Sequence, residues 1–278
     1  MKNLQLHIKG HKQELRVPAV MGIVNLTPDS FYDGGKLNSV KAVLKKVDTM
    51  LSEGADLIDL GAYSSRPGAT EVSEEQEWCR IEKYLPHLVL EFPDALFSID
   101  TFRSTIAKKA VEAGISIVND ISGGNLDNKM LDTVAELKVP LILMHMKGKP
   151  ADMQNDPRYE NVVEEVKSFL QKKASLAKDK GIKNVILDPG FGFGKSLEHN
   201  YELLRNLRSL KSLHNPIMVG LSRKSMVNKV LGTKAENALN GSTVLHALAL
   251  LNGADILRVH DVKEAIEVVK IASYFQKD

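Results

Sequence analysis

Short apolar runs occur eight times along the chain, each followed by a longer stretch of mixed polarity. They lie at 20–25 (VMGIVN), 56–61 (DLIDLG), 96–100 (LFSID), 115–120 (ISIVND), 140–145 (PLILMH), 184–188 (NVILD), 216–221 (PIMVGL) and 254–260 (ADILRVH). The spacing predicts a strand at each. The stretches between them carry helical period: Val40, Val43, Leu44, Val47, Met50 and Leu51 share one apolar face. Ser73 followed by Gln76 has the form of a capping box opening the next helix. Strands alternating with helices imply right-handed crossovers and a parallel sheet. Eight units predict a closed (β/α)8 TIM barrel, with an open doubly wound sheet as the alternative. No low-complexity segment or linker interrupts the series, so residues 1–278 are expected to form one domain.

Composition narrows the function classes. A chain of 278 residues suits one large α/β domain, since barrels commonly run near ~250 residues. With 43% hydrophobic and 26% charged residues and a formal charge of +2, the chain is ordinarily globular. Its lysine pairs at 45–46, 108–109 and 172–173 fall on helical faces and form no basic stripe, which argues against nucleic acid. The single cysteine, Cys79, permits no intrachain disulfide and no zinc spacing; beside Trp78 in a helix-like segment it reads as packing. The N-terminus, MKNLQLHIKGHKQEL, alternates polar and apolar residues without a signal-peptide core. No apolar run approaches ~18 residues. A soluble, cytoplasmic protein is expected.

Polar residues gather where a barrel would put its active site. Asn25, Asp100, Asn119, Asp188, Arg258 and His260 fall at or near the C-terminal ends of predicted strands, which share one face. The loops at 25–35 (NLTPDSFYDGG) and 61–73 (GAYSSRPGATEVS) are long for βα connections. Taken singly, an Asp or Asn at a strand end fixes a turn or caps a helix; repetition around one rim points to a site. The stretch DPGFGFGKSLEHN, 188–200, is not a P-loop, because the residue five before Gly194 in Gly194-Lys195-Ser196 is Pro189. The dinucleotide pattern fails as well, since Gly194 follows Gly192 one residue early. What remains is a carboxylate followed by a turn flexible enough for close approach to a ligand.

With these residues assembled, the chain resembles the dihydropteroate synthase family from about residue 18 to 262. NLTPDSFYDGG, SSRPG, SIDT, VNDISGG, LMHM, DPGFGFGK, LSRKS and RVHDV stand in that family's order. The resemblance implies condensation of 6-hydroxymethyl-7,8-dihydropterin pyrophosphate with p-aminobenzoate, a magnesium ion (Mg2+) held with the pyrophosphate, and a homodimer. It implies a pterin pocket of Asp100, Asn119, Met144, Asp188, Phe193, Lys224 and Arg258. His145 is expected to be core packing. Pyrophosphate would meet Asn25, Arg66, Arg258 and His260, with Asn25 beside the metal. p-Aminobenzoate would meet Phe31, Ser65, Pro67, Phe193, Lys224 and Ser225. Asp33, Asp100 and Lys224 would be catalytic, the two carboxylates facing a pterin cation.

One departure stands out. Where the family often reads GGESTRPG, this chain has Gly61-Ala62-Tyr63-Ser64-Ser65-Arg66-Pro67-Gly68. Ser65 keeps a hydroxyl without the methyl, and Tyr63 replaces an acidic residue. Two other readings remain open: a pterin-binding methyltransferase domain, and a non-catalytic paralogue that kept the pocket. The presence of Asp33, Arg66 and Lys224 weighs against the second.

Overall fold

The computed structural model describes residues 2–27, 39–63, 72–148, 153–154 and 156–277. The chain opens on a hairpin, β1 (Lys2–Ile8) and β2 (His11–Val17), paired antiparallel. Its turn, Lys9–Gly10, has φ of 49° and 90°, the pair of positive values that a two-residue hairpin turn of type I′ needs. Eight parallel strands follow: β3 (Ala19–Asn25), β4 (Leu57–Gly61), β5 (Leu96–Asp100), β6 (Ile117–Asp120), β7 (Leu141–Met144), β8 (Val185–Asp188), β9 (Met218–Val219) and β10 (Ile256–Val259). Their order is β8-β7-β6-β5-β4-β3-β10-β9. A parallel bridge between Leu187 and Ile217 joins the two outermost strands, supported by Leu187 N–H donating to Pro216 O at 2.9 Å. The sheet is therefore a closed barrel, not an open doubly wound sheet.

The helices pack outside it. They are α1 (Val40–Ser52), α2 (Glu74–Ile81), α3 (Leu85–Glu91), α4 (Ser104–Glu112) and α5 (Met130–Leu137) in the first half. The second half adds α6 (Val162–Asp179), α7 (Leu197–Arg205), α8 (Ser225–Leu231), α9 (Leu239–Leu251) and α10 (Val262–Phe275). In α1 the predicted apolar face is the packed one, with Val43, Val47 and Met50 buried. The capping box at α2 forms as expected between Ser73 and Gln76. Cys79, by contrast, lies on the exposed side of α2 and packs nothing in the core.

Alternation along the strands builds two layers and then a site. Ile58, Phe97, Val118, Leu143, Leu187, Val219 and Leu257 face outward into the core shared with the helices. Leu57, Leu96, Ile117, Ile142, Ile186, Met218 and Ile256 form a separate cluster with Met21 and with Leu6, Leu15 and Val17 of the hairpin. The hairpin thus plugs the N-terminal end of the barrel. Asn184 pins it there, accepting from His7 N at 2.7 Å and donating to Gln5 O at 2.7 Å. Two residues further along each strand the side chain returns to the same face, and there the sequence turns polar: Asp59, Ser98, Asn119, Asp188 and Arg258. A dry floor supports a charged mouth.

Two predicted strands shorten. The run at 216–221 is ordered as β9 over Met218–Val219 only, because Pro216 has no N–H for the ladder and Ile217 serves as the closing bridge. The run at 115–120 begins pairing at Ile117. The hairpin was not anticipated as paired strands. Among the described residues no helix is long and apolar enough to cross a membrane.

Candidate active site

Strand register sets three of the expected residues side by side. Asn25 pairs with Gly61, Gly61 with Asp100, and Asp100 with Asn119. Gly61 keeps the row open: a Cβ there would lie 3.6 Å from Asp100 Cβ and 3.8 Å from Asn25 Oδ1. The amide oxygen of Asn25 and the carboxylate of Asp100 therefore border one gap.

Behind the row stands Asp59, fully buried on β4. It accepts from Ser98 Oγ at 2.7 Å, from Asn119 Nδ2 at 3.0 Å and from Arg258 Nε at 2.6 Å. Arg258 Nη2 also donates to Asp100 Oδ2 at 2.7 Å. Since a carboxylate only accepts, Asn119 must direct its amino group at Asp59, which leaves its carbonyl oxygen for the mouth. Burial pushes the Asp100 carboxyl up to about 7; Arg258 opposes that shift and Asp59 adds to it. The two carboxylates hold the Arg258 guanidinium firmly charged against its own burial.

Asp188 occupies the other side of the mouth, paired in register with Met144. Its Oδ1 accepts from Gly190 N at 2.7 Å. Burial raises its carboxyl above the usual range, while Lys224, that amide, Arg258 and Lys195 pull it back down. Lys224 lies 4.6 Å above the Phe193 ring and donates to Phe191 O. Burial lowers its ammonium to about 8, with Asp188 opposing. Met144, Phe193, Phe102 and Ile121 make an apolar wall alongside. Three acids (Asp59, Asp100, Asp188) thus gather with three basic side chains (Arg258, Lys224, Lys195); burial lowers the Lys195 ammonium to about 7, with Asp188 opposing.

The glycine-rich turn offers no cradle for phosphate. Gly190, Gly192 and Gly194 have φ of 69°, 81° and 60°. A Cβ at Gly190 would lie 1.9 Å from His145 O, and one at Gly194 would lie 2.2 Å from Lys147 O. The glycines let the turn lie against the chain leaving β7. Three of its N–H groups are already spent: Gly190 on Asp188, Gly192 on Asn200 Oδ1 at 2.7 Å, and Phe193 on Gly190 O at 3.1 Å. A phosphate loop needs those donors free.

Other expectations divide. His145 is a core residue, edge-on to Phe169 at 4.9 Å between ring centroids. His260 follows β10 and is half-buried, its N and Nδ1 lying 3.3 and 3.1 Å from Ser222 Oγ. Ser225 is exposed at the first turn of α8. Phe31, Asp33, Ser65, Arg66 and Pro67 lie outside the described residues. Tyr63, the unusual residue of the second long loop, packs edge-on against Phe102 at 5.0 Å, with Arg103 5.6 Å from its ring. Arg103 also donates to Glu77 and to Val72 O, so Tyr63 joins a cluster that contacts both described margins of that loop. Sequence reasoning missed Asp59; an acid in the middle of the apolar run DLIDLG, three residues after Asp56, was the available signal. A separate surface cleft of about 840 Å³ lies between the chain leaving β7 and α6, lined by Lys147, Arg158, Tyr159 and Glu164 among others. Met146 lines it and also belongs to the apolar cluster beside the mouth.

A TIM barrel with carboxylate, amide and cationic side chains converging at its strand ends is an enzyme site for a polar, planar ligand. The chain belongs to the pterin-binding enzyme family, whose pattern matches residues 21–260, and within it to the dihydropteroate synthases. It is 41% identical over 270 residues to the dihydropteroate synthase of Haemophilus influenzae, covering 96% of this chain and 98% of that one. The Yersinia pestis dihydropteroate synthase, solved with a sulfonamide drug complex, superposes with a TM-score of 0.93 at 40% identity, over 98% of this chain and 99% of the other. The Xanthomonas albilineans enzyme, solved with 4-aminobenzoic acid, gives 0.90 at 39% identity over 100% of both chains. The protein is a transferase of folate synthesis, and the methyltransferase and non-catalytic readings give way to that.

Proposed function

We propose that the barrel mouth makes 7,8-dihydropteroate by dividing recognition of the pterin pyrophosphate between two halves, one for each of its chemical groups. Asp188 accepts the paired N–H donors of the dihydropterin edge, and Asp100 and Asn119 complete that edge from adjoining strands. Met144 and Phe193 cover the ring. Support comes from the fixed direction of the Asn119 amide and from Asp188, two strands along the rim on β8, with its Oδ1 held by Gly190 N–H. A site of this kind rejects ligands lacking those donors, because its buried acceptors would be left unpaired.

Pyrophosphate is assigned to Asn25, Arg66, Arg258 and His260. Asn25 suits a magnesium ion, which takes one or two protein oxygens and draws its other ligands from phosphate and water. Among the described residues no three His, Cys, Asp or Glu side chains cluster as a metal site; the substrate's own oxygens would complete the ion's shell. When bound, the ion would neutralise charge on the leaving group. The C–O bond to pyrophosphate breaks, leaving positive charge on the pterin methylene that the carboxylates of Asp100 and Asp33 would stabilise. The amine of p-aminobenzoate then forms the C–N bond and loses a proton. Phe31, Ser65, Pro67, Phe193, Lys224 and Ser225 would seat the aminobenzoate, and Lys224 and Phe193 are already stacked together.

A homodimer belongs to the same reading. Val230, Leu231, Val244, Leu248, Ile271 and Tyr274 are exposed along α8, α9 and α10. α9 carries apolar side chains on its buried side (Leu245, Ala249, Leu250) and on its exposed side (Val244, Leu248), which suits a helix covered on both sides. A cytosolic setting fits the exposed free thiol of Cys79. The observation that carries the reading is the Asp59–Asn119–Arg258–Asp100 network facing Asp188 across the mouth. Pyrophosphate release, followed with the pterin substrate in the presence and absence of p-aminobenzoate, tests it. Release that ignores p-aminobenzoate would contradict the condensation.

A further inference from the structure

The dipeptide Gly194-Lys195 gives the turn its resemblance to a phosphate loop, yet the chemistry above leaves Lys195 without a task. Lys195 is 3% exposed, so its side chain runs beneath the turn and away from solvent. Its Nζ lies 2.8 Å from Gly190 O, 3.1 Å from Phe193 O and 2.9 Å from His145 Nδ1. An ammonium has three N–H donors, and these are three acceptors. His145 can serve as one because it is neutral: burial first, and then the charge of Lys195, hold its imidazole down at about 2. Toward the ammonium form of Lys195 the Nδ1 lone pair accepts, which requires the Nε2–H tautomer.

The two carbonyls are the ends of one turn, closed by Phe193 N–H donating to Gly190 O at 3.1 Å. The carbonyls from Gly190 to Ser196 all accept from side chains: Lys195 takes Gly190 and Phe193, Lys224 takes Phe191, Gln154 takes Gly192, Tyr159 takes Gly194, and Asn200 takes Lys195 and Ser196. Lys195 is the member that ties the turn to β7 as well, through His145. Its charge also bears on Asp188, which it helps to keep ionised.

We propose that Lys195 is a positioning residue for pterin recognition, a buried lysine that binds Gly190 and Phe193 to His145 and thereby sets Asp188 and the Phe193 ring against the ligand. The inference rests on Asp188 and Phe193 being pterin contacts. Lys195→Met removes all three donors while keeping the length and apolar bulk of the side chain. Calorimetry with 6-hydroxymethyl-7,8-dihydropterin and, separately, with inorganic pyrophosphate reads the outcome on the full chain. Losing buried bonds to a charged group should weaken the dihydropterin about tenfold or more, with pyrophosphate changed less than about twofold. In turnover, KM for the pterin substrate should rise by a similar factor, with kcat changed less than about threefold. Lys195→Gln, which keeps two N–H donors, should recover part of the affinity and replaces the Met variant if that one does not fold.

A selective loss of pyrophosphate binding would make Lys195 a phosphate lysine and overturn the proposal. Equal losses for both ligands, or none for either, would overturn it too, the first by reducing Lys195 to general stability. Asp188→Asn measured in parallel separates the two levels of the argument. If that variant binds dihydropterin normally, the assignment of the pterin half is itself wrong and the inference falls with it. If it loses dihydropterin while Lys195→Met does not, the Lys195 proposal alone fails.

Discussion

Asp59 has no substrate to touch in this account, yet the orientation of three side chains depends on it. Asp59→Asn would replace one acceptor oxygen by an amino group confronting Asn119 Nδ2 or Arg258, both donors. Breaking a buried ion pair on one side costs about 3–5 kcal/mol, so urea denaturation should show a loss of that order. Pterin affinity should fall alongside it. Asp100 gives a second test, because burial holds its carboxyl up near 7. Only the ionised form can face a cation, so kcat/KM for the pterin substrate should rise as pH increases through about 7. Asp100→Asn should be slow and should lack that rise. The stability effect has the opposite sign. Between the ordinary carboxylate range and about 7 the folded chain holds a proton that the unfolded chain has released, so this group's contribution to stability declines as pH rises over that window. Asp59 escaped the sequence reading for a physical reason: attention to strand ends favours residues that project at the rim, whereas Asp59 sits one inward-facing position deeper, among leucines and isoleucine.

The elements differ in how far hydrophobic pattern alone discloses them. The eight barrel strands were legible because both of their faces are buried, which leaves uninterrupted apolar runs. β9 is the exception in length, since Pro216 and Gly220 bracket the two residues that fully pair. The hairpin was not legible in the same way. One of its faces meets the barrel floor and the other meets solvent, so each strand mixes Leu6 or Leu15 with exposed polar neighbours. Leu6→Ala should destabilise the fold by about 2–5 kcal/mol in denaturant titration while leaving KM for both substrates unchanged, because the plug lies at the end of the barrel away from the mouth. The glycine-rich turn should respond quite differently. Gly190→Ala drives a Cβ into His145 O and forces a positive φ on alanine. At Gly192 the nearest obstacle is the flexible Lys224 side chain at 3.3 Å. Gly190→Ala should therefore lose pterin binding and thermal stability more severely than Gly192→Ala, a ranking that a thermal melt and one binding isotherm for each variant will check.

The molecule as a whole is a barrel closed at one end by the hairpin and working at the other, with an apolar flank on α8 to α10. If two copies meet on that flank, sedimentation velocity should give a dimer, and Leu248→Arg should shift it to monomer; a wild-type monomer at the same concentration would remove the flank as an interface. At this scale the central claim is that one mouth reads two chemical groups with separate residues. Arg258 cannot test it cleanly, because its bonds to Asp59 and Asp100 tie it to the pterin side. His260, bonded to Ser222, is the better probe of the phosphate side. The most direct measurement is calorimetry of Asp188→Asn and His260→Ala, each with dihydropterin and with pyrophosphate at one salt concentration. The account predicts that Asp188→Asn loses about tenfold or more in dihydropterin affinity with pyrophosphate nearly unchanged, and that His260→Ala shows the reverse order of losses. Equal weakening of both ligands by Asp188→Asn would contradict it.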